Sequence, residues 1–323
     1  MKSKDKPVSR HRHQRWAFTL VELLVAGGLT LMIAVLCLTV LTSSLTRWNR
    51  AQGLLTAEAA VRGIFDQLER DLQGVVYRGD GGVWLAASVE QTSGVSGSWV
   101  MGTKPVSASL DPAASVLADA RFGVGGVWLR FITANSVADA EGNGTDVPVA
   151  VSYQLIRRPM SPSAHSAIYT IYRAQAGPKA TLDAGYDLNA ISYNTPSDES
   201  ATAGSLVSPG YAQALAENVI DFGVRFYRRE ADPLTGTVSL VTVFPRDSLA
   251  LEYRVASGPK AGPAASPAPE VVDVFVRVVS PEGALLLYAL ESGRITGDWW
   301  KIATAHSWVF TRRIWLRAAT ADA

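Results

Sequence analysis

The chain has 323 residues, 18 % charged and 48 % hydrophobic, with a formal net charge of +1. That length suits one or two domains, and the apolar content is sufficient for a core, so wholesale disorder is excluded. A single cysteine, Cys37, excludes a disulfide framework, a multi-cysteine zinc site and a CxxC redox pair. Of four histidines, His11 and His13 fall in the first fifteen residues, leaving His165 and His306 for any imidazole-based metal centre. These absences weigh against an enzyme and against a cofactor.

The charge is unevenly placed. Residues 1–17 carry Lys2, Lys4, Lys6, Arg10, Arg12 and Arg15 against Asp5, a local +5, whereas the remainder carries 24 Lys and Arg against 28 Asp and Glu, or −4. Without the first segment the chain is mildly acidic and lacks the broad positive field of a nonspecific nucleic-acid binder. After the basic stretch comes Phe18-Thr19-Leu20-Val21-Glu22-Leu23-Leu24-Val25-Ala26, and no charge follows Glu22 until Arg47. Leu23 to Leu41 are 19 uncharged residues, mostly Leu, Val, Ala and Ile, close to the length a helix needs to cross about 30 Å of hydrocarbon. One span is expected, with its amino terminus cytoplasmic and the bulk of the chain outside, because the basic residues precede it. A secretory signal has a shorter apolar core with a small-residue cleavage site after it; here the run is longer and Ala17 stands before it. Glu22 is the anomaly, since a carboxylate among lipid-facing residues demands a partner.

Ala17 followed by Phe18-Thr19-Leu20-Val21-Glu22-Leu23-Leu24-Val25 resembles the class III signal of type IV pilins and type II secretion pseudopilins. The resemblance implies a cut between Ala17 and Phe18 by a prepilin peptidase on the cytoplasmic side, methylation of the new amino group of Phe18, and Glu22 as the fifth mature residue. The family usually has Gly before the cut, where this chain has Ala17. The resemblance also supplies a partner for Glu22: the free amino terminus of a neighbouring subunit in the filament, or its own before assembly. In low dielectric such an acid–ammonium pair would reward correct axial register. A plain signal anchor with Glu22 at the membrane interface is the alternative.

Helical periodicity continues past the span. Leu54, Ala57, Val61, Ile64, Phe65, Leu68, Leu72 and Val75 recur at three- and four-residue spacing, with Glu58, Arg62, Asp66 and Arg70 at i, i+4 intervals on another face. A helix from Phe18 to about Val76 is predicted, roughly 88 Å long at ~1.5 Å per residue, ended by Gly74, Gly79, Gly81 and Gly82. Strands are predicted over Val83–Ala87, Val127–Thr133, Val149–Ile156, Ile168–Arg173, Val219–Arg228, Val238–Phe244 and Val271–Val279. The last, with Val272, Val274, Val276 and Val278 alternating with Asp273, Phe275 and Arg277, reads as a strand with one buried face. The stretches 192–210 and 256–269, rich in Pro, Ser, Ala and Gly, read as loops. The fold class is α+β, one long helix against antiparallel sheet. The expected division is a cleaved basic leader at 1–17, a transmembrane half-helix at 18–46, a periplasmic amphipathic half-helix at 47–78 and a mainly β periplasmic domain at 79–323.

Later phrases narrow the resemblance. Phe65-Asp66-Gln67-Leu68-Glu69-Arg70-Asp71-Leu72, Leu215-Ala216-Glu217-Asn218-Val219 before Arg225-Phe226-Tyr227, and Pro269-Glu270-Val271-Val272-Asp273-Val274 are similar to the J-type minor pseudopilin and related minor pilins. That similarity implies a structural subunit without catalysis that initiates or caps a secretion pseudopilus or type IV pilus. Its implied partners are other minor pseudopilins, the major pseudopilin or pilin, the prepilin peptidase, and the inner-membrane assembly platform with its ATPase. The implied location is the bacterial inner membrane, single-pass, with the carboxy-terminal domain periplasmic or in a filament after assembly. The competing expectation is a periplasmic enzyme or binding domain on an uncleaved anchor.

Three clusters carry other chemistry. Asp139, Glu141, Asn143 and Asp146 set oxygens at near-alternate positions like a calcium loop, but the twelfth position, which an EF-hand fills with Glu, is Ala150; a solvated acidic turn is the plainer reading. His165 and His306 each sit beside serines, yet no GxSxG elbow exists, so loop and structural roles are expected. Arg312-Arg313-Ile314-Trp315-Leu316-Arg317 mixes cations with an aromatic as single-strand binders do; a terminal strand with one buried face explains it more simply, and nucleic acid is not the expected partner. Trp299, Trp300, Trp308 and Trp315 read mostly as core, with a docking role open.

Overall fold

The computed structural model describes residues 19–105, 116–134, 148–161, 163–164, 166–190, 193, 206–247, 250–258 and 265–316. The leader, Ala17, Phe18, the acidic cluster Asp139, Glu141, Asn143 and Asp146, His165 and Arg317 lie outside the described residues. The chain separates into two compact units, Met1–Gln52 and Gly53–Ala323. One continuous helix, α1 (Leu20–Gln73), contributes its first part to the former and its last part to the latter.

In the first unit every described side chain of α1 from Leu20 to Leu45 is exposed. This is the one helix among the described residues that is long and apolar enough to cross a membrane. Thr30, Thr39, Thr42 and Ser43 donate their hydroxyls back to helix carbonyls three or four residues earlier, which leaves little unsatisfied polarity on the shaft. Cys37 is exposed on the same stretch.

In the second unit the helix becomes one-sided. Ala57, Val61, Ile64, Phe65, Leu68 and Leu72 are buried at the predicted spacing, and Arg62 pairs with Glu58 on the opposite face at 3.3 Å. The helix stops at Gln73, three residues before the predicted end, because Val75 and Val76 turn to follow an adjacent strand: Val75 bridges Thr133, and Val76 N donates to Ile132 O at 2.9 Å.

Among the described residues ten strands follow: β1 (Val83–Glu90), β2 (Gly126–Thr133), β3 (Val149–Pro159), β4 (Ala167–Gln175), β5 (Ala214–Glu217), β6 (Val219–Ala231), β7 (Val238–Phe244), β8 (Glu252–Ala256), β9 (Val271–Val279) and β10 (Ser307–Trp315). They form a six-stranded sheet in the order β5-β4-β3-β2-β1-β8 and a four-stranded sheet in the order β10-β9-β6-β7. All pairings are antiparallel. The α+β expectation holds, and all seven predicted strands are present. Among the described residues three short α-helices accompany them: α2 (Pro178–Asp183), α3 (Pro281–Glu291) and α4 (Trp299–Ala305).

The single-faced reading of β9 is corrected. All nine of its residues are buried, including Asp273 and Arg277, because it is an inner strand covered on both faces. On the face of Asp273, Phe275 and Arg277, Phe122 packs on Phe275 with ring centroids 5.5 Å apart. Arg277 Nη2 donates to Ala118 O at 3.0 Å and its guanidinium lies over Trp300. The segment holding Ala118 and Phe122 therefore closes a side that alternation alone leaves open.

Two glycines make room where the layers approach. A Cβ at Gly223 in β6 would stand 2.1 Å from the Phe122 ring, so that aromatic lies in the dip the glycine leaves. Gly126, at φ +66°, brings β2 against β6, and a Cβ there would meet Phe222 O at 2.7 Å. Gly223→Ala is expected to lower stability by about 1–3 kcal/mol through overpacking. Denaturant unfolding of the purified chain measures this, and an unchanged midpoint would refute the packing assignment.

Candidate functional site

The first turn of α1 is closed by two side chains. Thr19 N and Thr19 Oγ1 both donate to Glu22 Oε2, at 2.9 and 3.0 Å, and Glu22 N donates to Thr19 Oγ1 at 3.2 Å. This is a reciprocal capping box, in which Thr19 satisfies a helix amide and the carboxylate reaches back to the capping residue. Glu22 thus has a local structural role that sequence reasoning overlooked, although the Thr-x-x-Glu spacing was visible. The carboxylate also sits at the positive end of the helix macrodipole.

The last turn of α1 carries a carboxylate of a different kind. Asp71 is fully buried on the same stripe as Leu68 and Leu72. Arg173 on β4 donates to it twice, from Nε to Oδ2 at 2.6 Å and from Nη2 to Oδ1 at 3.2 Å. Tyr153 on β3 donates its hydroxyl to Oδ2 at 2.5 Å, and Gln67 Nε2 donates to Oδ1 at 3.1 Å. The Asp71 carbonyl accepts from Thr133 Oγ1 at 2.8 Å. Burial, and then the Asp71 charge, push the Tyr153 hydroxyl well above the usual phenol range, so it stays a proton donor. Helix and sheet are locked here by a carboxylate with both oxygens occupied.

Farther along the helix face, Arg312 on β10 donates to Asp66 at 2.7 Å and Glu69 at 3.1 Å, with its guanidinium over Phe65. Arg313 forks onto Asp273 with two bonds of 2.7 Å. These two cations are consumed by carboxylates of the fold, and Ile314 between Arg313 and Trp315 is buried. Trp299 and Trp300 are core residues, Trp308 is half-buried, and Trp315 is exposed. His306 ends α4: its N–H donates to Ile302 O at 3.2 Å and its carbonyl accepts from Ser280 N at 2.8 Å.

Two further buried ion groups hold the α3–α4 region. Glu291 at the end of α3 accepts from Arg157 Nε and Nη2 at 2.9 and 2.7 Å, from Tyr169 at 2.8 Å and from Trp299 Nε1 at 3.0 Å. Lys104 Nζ donates to Ile220 O at 2.8 Å, lies 3.6 Å from Asp221 Oδ1 and faces the Trp299 and Trp300 rings. Burial pushes Lys104 below and Asp221 above their ordinary ranges. Neither group carries a pair of carboxylates or a nucleophile set beside a base. No group of three or more metal-ligating side chains is present among the described residues.

No protein-family model, curated protein or solved structure matches the chain.

Removing the Asp71 carboxylate leaves Arg173 buried without its charge partner. Asp71→Ala is expected to destabilise the chain by about 3–5 kcal/mol. The double variant Asp71→Ala with Arg173→Met should recover part of that loss, because no orphan cation remains. A double variant no more stable than Asp71→Ala, measured by urea unfolding, would show that the charge pairing is not the source of the effect.

Proposed function

We propose that the chain is a minor pseudopilin or minor pilin: a structural subunit that initiates or caps a type II secretion pseudopilus or type IV pilus. The observation that carries the reading is the pairing of the Ala17-Phe18 signal with Glu22 in the first turn of a 54-residue helix whose described residues are exposed through Leu45 and become one-sided from Ala57. An apolar shaft that no described residue of its own chain covers needs lipid or other helices around it. The antiparallel sheets that bury the far half of α1 support a filament subunit whose helix is held by its own domain. In this role the hydrophobic stretch stores the subunit in the inner membrane and then packs against neighbours during assembly. The prepilin peptidase, the major and minor subunits and the assembly platform are its partners.

Mass spectrometry of the chain expressed with a prepilin peptidase tests the reading directly. The expected amino terminus is methylated Phe18; an intact Met1 start, or a start beyond the hydrophobic run, would overturn it.

The role of Glu22 is tested separately. Glu22→Ala should leave membrane insertion intact while reducing incorporation into filaments several-fold, and Thr19→Ala, which removes the capping partner alone, should reduce it less. Equal losses in filament fractionation would overturn any contribution of Glu22 beyond its bonds to Thr19.

A further inference from the structure

The outer face of the six-stranded sheet carries side chains that no packing role absorbs. The register sets Ala86 of β1 between Arg130 of β2 and Arg254 of β8, and Ser88 between Trp128 and Glu252. Because Ala86 is small, two guanidinium chains flank a low strip of sheet. The Arg130 guanidinium carbon lies over the Trp128 ring, 3.6 Å from its centroid. Arg130 Nε and Trp128 Nε1 are both buried and have no hydrogen-bond partner among the described residues. Arg254 is half exposed and holds Glu252 at 3.1 Å.

Two hollows share these side chains. The larger, about 510 Å³, is lined by Trp128, Arg130, Arg254 and Asn189 on its polar side, with Leu188 and Val207 among its apolar walls. The smaller, about 320 Å³, shares Trp128, Arg130 and Arg254 but adds Glu90 and Glu252. Among the described residues, carboxylates line the smaller hollow alone. Among the described residues, the larger one therefore offers two arginines, an indole ring and a carboxamide against an apolar wall, with no acid in its lining.

We propose that the larger hollow binds a carboxylate carried on an apolar peptide segment, either a chain-terminal carboxylate or an Asp or Glu side chain flanked by apolar residues. Guanidinium forks match the two oxygens of a carboxylate. Arg254 is already shared with Glu252, and Glu90 lies with Arg130 in the adjoining hollow, so the larger hollow suits one further acid rather than a multiply charged phosphate. The apolar wall accepts the neighbouring side chain, and the volume lies in the range of sites that enclose a small ligand. Desolvation, and then the like charge of Arg254, depress Arg130 to about 10, so an incoming anion would relieve an under-compensated cation. The proposal does not depend on the filament reading.

Calorimetric titration of the full chain in detergent micelles at low salt tests it with three peptides: acetyl-Leu-Val-Leu with a free carboxylate, the same peptide amidated, and amidated acetyl-Leu-Glu-Leu. Binding of the first identifies a terminal carboxylate, binding of the third a side-chain one, and either supports the proposal if the neutral amide does not bind. Arg254→Gln, at a half-exposed position outside the core, should weaken that binding about tenfold or more, the effect of losing a hydrogen bond to a charged group. Arg130→Gln should do the same. Absence of binding by both acidic peptides, equal binding of the neutral amide, or unchanged affinity in a folded Arg254→Gln variant would each overturn it.

Discussion

The constraint on which the second unit depends is the Asp71 carboxylate. It sits on the apolar stripe of a helix, where an unpaired charge would oppose packing, and it becomes tolerable because donors from two strands and one helical turn converge on it. The cost of drying that charge makes the arrangement selective. A helix rotated by one position, or shifted by one turn along the sheet, would bury the same acid without Arg173 and Tyr153. The apolar contacts of Ile64, Leu68 and Leu72 favour burial in general, whereas the carboxylate distinguishes one register from its neighbours.

The same logic recurs where α3 and α4 meet the sheets. Glu291 gathers Arg157, Tyr169 and Trp299, and Lys104 sits between Asp221 and a pair of indole rings. Each joins elements more than a hundred residues apart, as Asp71 does, so each specifies how layers sit on one another rather than how any single element forms. Hydrophobic burial supplies the bulk of the driving force, and these pairs restrict the layers to particular registers. The Trp128–Arg130–Arg254 group joins neighbouring strands instead, and Trp128 Nε1 and Arg130 Nε are buried without a hydrogen-bond partner among the described residues.

Local periodicity made much of the fold readable. An uncharged apolar run marks the first part of α1 and three- and four-residue spacing marks it beyond Gly53, and β7 and β9 begin and end as their valine-rich runs do. β5 and β8 escaped because four or five residues give too little alternation to detect. The helix α3 was recoverable from Ser280-Pro281-Glu282, a capping hydroxyl followed by Pro and an acid in the first turn, and Asp298 caps α4 in the same manner. Asp71 could have been noticed as an acid within an apolar stripe, but its partner lies on β4, 102 residues away, and no local pattern announces it. The two covered faces of β9 were unreadable for the same reason: the cover comes from a segment near Phe122 and from α4.

The two ends of α1 pose opposite electrostatic problems. At Asp71 both oxygens are occupied by donors within the chain, so the acid is finished with when the domain folds. At Glu22 the capping box draws on Oε2 for both Thr19 bonds. A carboxylate has about four acceptor sites on two oxygens, so the box does not exhaust it. Under the proposed function, capping and pairing with a neighbour's amino terminus are then not alternatives: Thr19 fixes the rotamer of Glu22 at the helix end, and the remaining lone pairs are held where an ammonium group can reach them. Such pre-positioning would spare the subunit the cost of ordering Glu22 at the moment of assembly. The box would therefore contribute to filament register even though it makes no contact outside its own helix.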